Sequence, residues 1–287
     1  MTRRVRWVLA AATTMVVGGV AMSTSTGTAD ADPSSSSTEV AVAAAHSASA
    51  AADATTTEAA PVEVTDLDLP DGVAVAVLDL DDGDSVTVGE DEQYDTASIV
   101  KVDIIAALLW QNGGDLNATQ QRWAAAAIEY SDNASTNSLY REIGGQEGLD
   151  AFNAEIGLTD TEAGADGSWG LTQTTVTDQL RLLEVVFGDD SVLDDAARDW
   201  LAGLMEQVVD SQSFGVSAAA DDPSAAELKV GYLQRSATAL WDVTSIGRIE
   251  ADGHTLLVAV LAEDQATFES GRTAIDTAAQ TAVAAIG

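Results

Sequence analysis

The sequence predicts an α/β (α+β) fold in which both ends of the chain build one antiparallel sheet beside a separate helical lobe. Strand-like segments occur near residue 73 and then only beyond 226, with apolar residues at helical spacing filling the interval. The last strand-like segment is followed by a helix-like stretch to the end of the chain. Both sequence ends must therefore contribute to the same sheet.

In order, Val73 to Leu80 is an apolar run, Asp81-Asp82-Gly83-Asp84 is a turn and Ser85 to Val88 alternates, which together read as a hairpin. Ser98 to Trp110 carries apolar residues at helical spacing and stops at Asn112-Gly113-Gly114. Further helices are expected over about 116–129, 134–143, 146–156, 174–187 and 192–209, with a loop over 157–173 that contains Trp169. Strands are expected over 226–232, 239–250 and 255–262, and Phe268 to Ile286 reads as a closing helix. A cleft between sheet and lobe is the expected place for a small ligand.

This domain, 67–287, follows two segments of different composition. Arg3, Arg4 and Arg6 precede an apolar stretch from Val8 to Met22, and Ala29-Asp30-Ala31 supplies a small-x-small cleavage site. Residues 1–31 thus read as a signal peptide, and the apolar stretch is shorter than the ~20 residues a spanning helix needs. Residues 32–66 are Ser, Thr, Ala and acid, a composition that buries too little apolar surface to order itself, so a disordered tether is expected. Secretion follows, with the cell wall as a place of association.

The formal charge is −35, and removal of residues 1–31 would leave the remainder near −37. Nothing on such a chain neutralises phosphates, so nucleic acid is excluded as a partner, and stable insertion into a membrane is not expected. With no cysteine, disulfides and a lipoprotein anchor are ruled out. No zinc-ligand spacing occurs, and the reading needs neither metal nor cofactor. A single chain is expected to act as a monomer on a small molecule or a peptidoglycan peptide.

Against 47 acidic residues stand two lysines, Lys101 and Lys229. Lys101 closes Ser98-Ile99-Val100-Lys101, Lys229 opens Lys229-Val230-Gly231, and Ser131-Asp132-Asn133 lies between them. A serine hydroxyl is a weak nucleophile without a base, and positions i and i+3 share a helix face, so Lys101 is the candidate base for Ser98. That role requires a lowered lysine pKa, which burial and a second cation, Lys229, would provide. Ser131 is placed to pass a proton to a leaving nitrogen, and Asn133 to bond a substrate amide. Lys229 is expected to hold Ser131 and attract a substrate carboxylate. The backbone N–H groups of Ser98 and Tyr232 are candidates for an oxyanion hole, with Gly231 allowing close approach.

Taken in order, these motifs resemble those of the serine penicillin-recognising superfamily, class A β-lactamases in particular. Ala134, Asn137, Leu139, Ile143-Gly144-Gly145, Gly148-Leu149 and Phe152 continue the likeness, and Thr174-Thr175 with Leu180, Leu182 and Leu183 resembles the helix after that family's Ω-loop. The resemblance spans 67–287, is nearest to secreted actinobacterial serine hydrolases, and implies a β-lactamase/DD-peptidase-like fold with acylation at Ser98. Its substrates would be β-lactams or D-alanyl peptides. Three departures stand out. Val230 replaces a Thr or Ser that grips the substrate carboxylate, and the interval from Ser98 to Ser131 is short. The loop 157–173 lacks the Glu-x-x-Leu-Asn whose glutamate activates the deacylating water, although it carries Asp160, Glu162 and Asp166. These departures motivate a second reading, a binding protein that traps its ligand without turnover.

Two weaker patterns remain. Asp79 to Asp84 with Glu90 has the acid density of a calcium loop, but a hairpin turn accounts for it. A Ser-His-Asp triad would depend on His254, at a turn after Asp252-Gly253, since His46 lies in the tether. Gln212, Phe214 and Gly215 are further candidates to line the cleft, with Phe214 better placed in the core.

Overall fold

A computed structural model describes residues 63–89 and 92–286. The expected signal peptide, the tether up to residue 62, His46 and Glu90 lie outside the described residues. The chain runs through β1 (Glu63–Val64), β2 (Val73–Asp79), β3 (Ser85–Val88) and β4 (Tyr94–Asp95) into a 3₁₀ turn at Ala97–Ile99. The helical lobe follows as α1 (Val100–Gln111), α2 (Ala118–Glu129), α3 (Asn133–Glu142), α4 (Gln146–Ile156), a short β5 (Gln173–Thr174), α5 (Val176–Phe187) and α6 (Asp195–Glu206). The chain returns through β6 (Glu227–Gln234), β7 (Trp241–Ala251), β8 (His254–Gln265) and α7 (Phe268–Val283).

The main sheet has the order β1-β3-β2-β8-β7-β6. Its two sequence ends meet at β2 and β8, antiparallel from Val73↔Ala262 to Asp79↔Leu256, as the strand distribution predicts. Successive residues of a strand point to opposite faces, and the two apolar clusters sort accordingly. Val75, Val77, Val258 and Val260 belong to the cluster that includes α7, while Ala74, Ala76, Leu257 and Ala259 belong to that of the helical lobe. One expectation needs correction: Glu63–Val64, placed in the tether, pairs in parallel with Ser85 and Val86 of β3.

Within the lobe, α1 is buried on every side from Val100 to Leu109, including Lys101 and Asp103. A helix apolar all round belongs in an interior, so α1 is the axis on which α2, α3, α4 and α6 pack. The starts of α2, α3, α5 and α6 are fixed by side-chain caps. Asn117 accepts from the Thr119 and Gln120 N–H groups while the Gln120 side chain accepts from Asn117 N–H, a capping box that starts α2. Asp194 accepts from Ala197 N–H, so α6 begins at Asp195 rather than at 192. Gln173–Thr174, expected at the edge of a helix, instead pairs with β4, and Thr175 caps α5.

At the β2–β3 hairpin, Asp79 N–H donates to Asp84 O at 2.8 Å and Asp81 N–H to Asp79 Oδ1 at 2.8 Å, the bonds of a turn. The other Asp79 oxygen, Oδ2, lies 2.6 Å from His254 Nδ1, and this ion pair raises the histidine's pKa. His254 is thus paired within the hairpin turns, away from any triad. Asp79, Asp81 and His254 bring three ligand atoms within 4.8 Å of one another, but the ion pair and turn bonds account for their contacts. Among the described residues no helix is long and apolar enough to cross a membrane.

Candidate active site

Ser98 lies in the 3₁₀ turn that feeds α1, and neither helix start carries a side-chain capping bond. Its preceding residue, Ala97, has φ 48°, and Ser131 has φ 56°. Left-handed conformation at a residue with a Cβ costs roughly 1–2 kcal/mol, so strain is held beside one serine and at the other. A single turn along from Ser98, Lys101 is 0% exposed. Its Nζ donates to Ser131 O, Ser131 Oγ and Asn133 Oδ1, each at 2.8 Å. Asp132 meanwhile caps α3 through Ser135 N–H, which orients the Ser131-Asp132-Asn133 turn toward the lysine.

Burial lowers the Lys101 pKa from 10.5 to about 7, with the nearby Asp132 carboxylate opposing. At neutral pH the free-amine fraction therefore rises from roughly one in three thousand to about half, enough for a base. Lys229, also 0% exposed, is held well below its usual range by burial first and by the Lys101 charge second. Of the two causes expected from sequence, burial is the one that lowers the Lys101 pKa, and the neighbouring charge that acts on it is Asp132.

Lys229 also binds differently from expectation. Its Nζ donates to Val230 O at 3.0 Å and to Gln212 Oε1 at 3.3 Å, while Ser131 Oγ is held by Lys101. Gln212 Nε2 in turn donates to Tyr130 O at 3.3 Å, so this side chain bridges strand β6 to the residue before Ser131. Phe214 is buried, in the core as expected, and Gly215 is buried beside it.

Gly231 brings β6 against the serine. A Cβ on it would stand 2.5 Å from Ser98 N, 2.6 Å from Thr244 Oγ1 and 2.7 Å from Thr96 O. Only a glycine permits this approach. The Tyr232 ring is 45% exposed and packs on Phe268 at 4.8 Å between centroids. Val230 departs from the reading that a hydroxyl there would face substrate. It is 1% exposed and packed in the α7 cluster, because alternation puts it on the face opposite Lys229 and Gly231.

Across the cleft the loop 157–173 presents an indole to the lysine. The Trp169 ring lies over Lys101 Nζ, 5.1 Å from its centroid, and Trp169 Nε1 donates to Asn137 Oδ1 at 2.8 Å. Thr96 N–H donates to Thr172 O at 2.8 Å, and β4–β5 pairing continues this clip, so the loop is fastened to the start of α1. None of the loop's three acids acts on Lys101, whose charge partner is Asp132. Asp160 N–H bonds Asp178, Glu162 bridges to Gln173 and Asp166 is exposed. The sequence marks Trp169 only as a loop residue. Its spacing from Asn137 and Lys101 carries no local pattern, so only the fold reveals the contact.

Concavity alone does not mark this site. Cavities of about 230 and 520 Å³ are lined by residues such as Leu109 and Trp200, or Gln146 and Glu162, and share none with the serine–lysine cluster.

The model of the β-lactamase enzyme family matches residues 114–286. The chain belongs to that family. The match takes in Ser131, Asn133, Lys229, Gly231 and Tyr232 but begins after Ser98 and Lys101. Among solved structures, an ancestral (GNCA) class A β-lactamase is 22% identical with a TM-score of 0.61, covering 74% of this chain and 94% of its own. A PBP-A variant, solved as an acyl-enzyme complex with penicillin G, is 20% identical with a TM-score of 0.63 over 74% of this chain and 89% of its own. A class A β-lactamase from Bacteroides cellulosilyticus is 16% identical with a TM-score of 0.62, over 74% and 90%. These likenesses establish the β-lactamase fold. No curated protein matches the chain. As a member of the β-lactamase enzyme family, the chain is a serine hydrolase.

Proposed function

We propose that this β-lactamase-family chain is acylated at Ser98 by β-lactam-like or D-alanyl peptide-like amides and esters, with Lys101 as the base. The buried Lys101 amine, one turn from Ser98 and bonded to Ser131 Oγ, carries this reading. Neutral Lys101 takes the Ser98 proton as Oγ attacks the carbonyl carbon, and Ser131 relays that proton to the departing nitrogen or oxygen. Backbone N–H groups of Ser98 and Tyr232 receive the developing oxyanion, a role supported by the approach of Gly231 to Ser98 N. Asn133, whose amide oxygen is held by Lys101, has its amide nitrogen left to meet the substrate.

Lys229 reaches the Ser131 turn through Gln212, which bonds Tyr130 O, rather than by a direct grip on Ser131. The basic and apolar leader and the acidic composition support a protein exported from the cell, acting as a monomer at or near the wall. Purified protein and a Ser98→Ala variant, each given penicillin and an acyl-D-alanyl-D-alanine peptide, test the substrate class. Ser98-dependent release of penicilloate or D-alanine supports the proposal. Release from neither, with no adduct on Ser98, removes both substrates.

A further inference from the structure

We infer that Trp169 is a positioning residue that stabilises the protonated state of Lys101, so that one base serves both half-reactions at Ser98. Its ring face lies over Nζ at 5.1 Å, inside the ~6 Å range of a cation–π contact. Two independent anchors fix it there: the Nε1–H bond to Asn137 and the Thr96–Thr172 backbone bond that ties the loop to the start of α1. Asn133 and Asn137 lie one turn apart on α3, so one helix face holds the lysine and the indole together.

Among the described residues, the groups that bond or act on Lys101 come from several elements. Ser131 and Asn133 accept its protons, Asp132 is the nearby carboxylate, Lys229 the nearby cation, and from the loop only the indole reaches it. An indole face stabilises an ammonium but accepts no proton, so the loop supplies electrostatic support without a base of its own. The catalytic use of this contact rests on the proposed acylation of Ser98.

The balance of steps is then simple. In acylation the Ser98 proton goes to Lys101 Nζ, the Oγ–C bond forms, the substrate C–N or C–O bond breaks, and the proton leaves through Ser131 with the departing group. In deacylation a water proton goes to Lys101 Nζ, the water O–C bond forms, the Oγ–C bond breaks and Ser98 recovers its proton from the lysine. In each case Trp169 faces the transient ammonium. Acylation and deacylation should therefore share one pH dependence.

Two lysines in the whole chain make a direct test practical. Protein labelled with ¹³C-lysine is titrated by NMR, and the Lys101 resonance is assigned by its loss in Lys101→Ala. Trp169→Leu keeps an apolar cover but removes the ring, and its Lys101 inflection is expected roughly 0.4–1.5 pH units below the wild-type value. Trp169→Phe retains a ring and is expected to restore most of the shift. The pH at which labelling of Ser98 by a fluorescent penicillin reaches half its plateau is expected to fall by the same roughly 0.4–1.5 units in the leucine variant and far less in the phenylalanine variant. An inflection unchanged or raised in Trp169→Leu overturns the inference. Should that variant not fold, Asn137→Ala, which releases the indole from its anchor, is expected to lower the inflection by a smaller amount, and no change there is equally fatal. A wild-type protein that never labels at Ser98 defeats the proposed function instead, and the lysine titration still decides the Trp169 contact.

Discussion

Replacing Gly231 by alanine would set a methyl carbon 2.5 Å from Ser98 N and 2.7 Å from Thr96 O, both backbone atoms. No rotamer change relieves either contact. The third neighbour, Thr244 Oγ1 at 2.6 Å, is itself committed to Thr96 O at 3.0 Å. Strand β6 and the Ser98 turn must therefore separate by about half an ångström or more to reach a tolerable contact. Overpacking of this kind costs roughly 1–3 kcal/mol, which in a domain of this size lowers Tm by roughly 3–10 °C. Because the displaced atom belongs to the nucleophile's own backbone, acylation should slow by at least about tenfold. Thermal melts and the rate of Ser98 labelling read the two effects. Gly203→Ala is the control, since nothing stands within 4 Å of its new methyl and alanine favours the helix. A Gly231→Ala protein that melts within about 1 °C of wild type and labels at the wild-type rate would refute the close approach.

Lys101→Ala is expected to abolish labelling of Ser98 at neutral pH, and the wild-type labelling rate is expected to rise with pH through about 7, as the amine loses its proton. Val230→Thr buries a hydroxyl in the α7 cluster, so a stability loss of about 1–3 kcal/mol in a denaturant titration is expected, with no gain in penicillin affinity. Asp103, fully buried in α1, has its pKa raised well above the carboxylate range by that burial, so the fold is less stable as pH climbs past the unfolded value. Asp103→Asn should therefore raise Tm at neutral pH by roughly 2–10 °C, a gain that disappears near pH ~4, and Asn153, oriented to donate to both Asp103 oxygens at 3.1 Å, still finds an acceptor. Equal melting curves at neutral pH would contradict that reading.

Much of this architecture is legible in the sequence because it rests on local periodicity. The long apolar run of α1, the apolar run of β2 and the alternation of β3 mark their elements directly. The β4–β5 pair is not legible, because two residues such as Tyr94–Asp95 show no alternation and their partners lie far along the chain. Likewise the site's main contacts, Lys101 with Ser131 and with Trp169, are long-range and follow from how the loop is clipped to α1. Val230 is a different case. The period of a strand places it opposite Lys229 and Gly231, so its burial was available from the sequence once those two were assigned to the cleft. The family pattern pointed the other way.

Ser98 as the acylated residue and Lys101 as its base form the centre of the proposed chemistry. An intact-mass time course with a fluorescent penicillin, on wild type, Ser98→Ala and Lys101→Ala at pH values on either side of about 7, tests that pair directly. The predicted result is an adduct in wild type alone, forming faster on the alkaline side. An adduct that survives in Ser98→Ala, or that forms equally fast in Lys101→Ala, would contradict it.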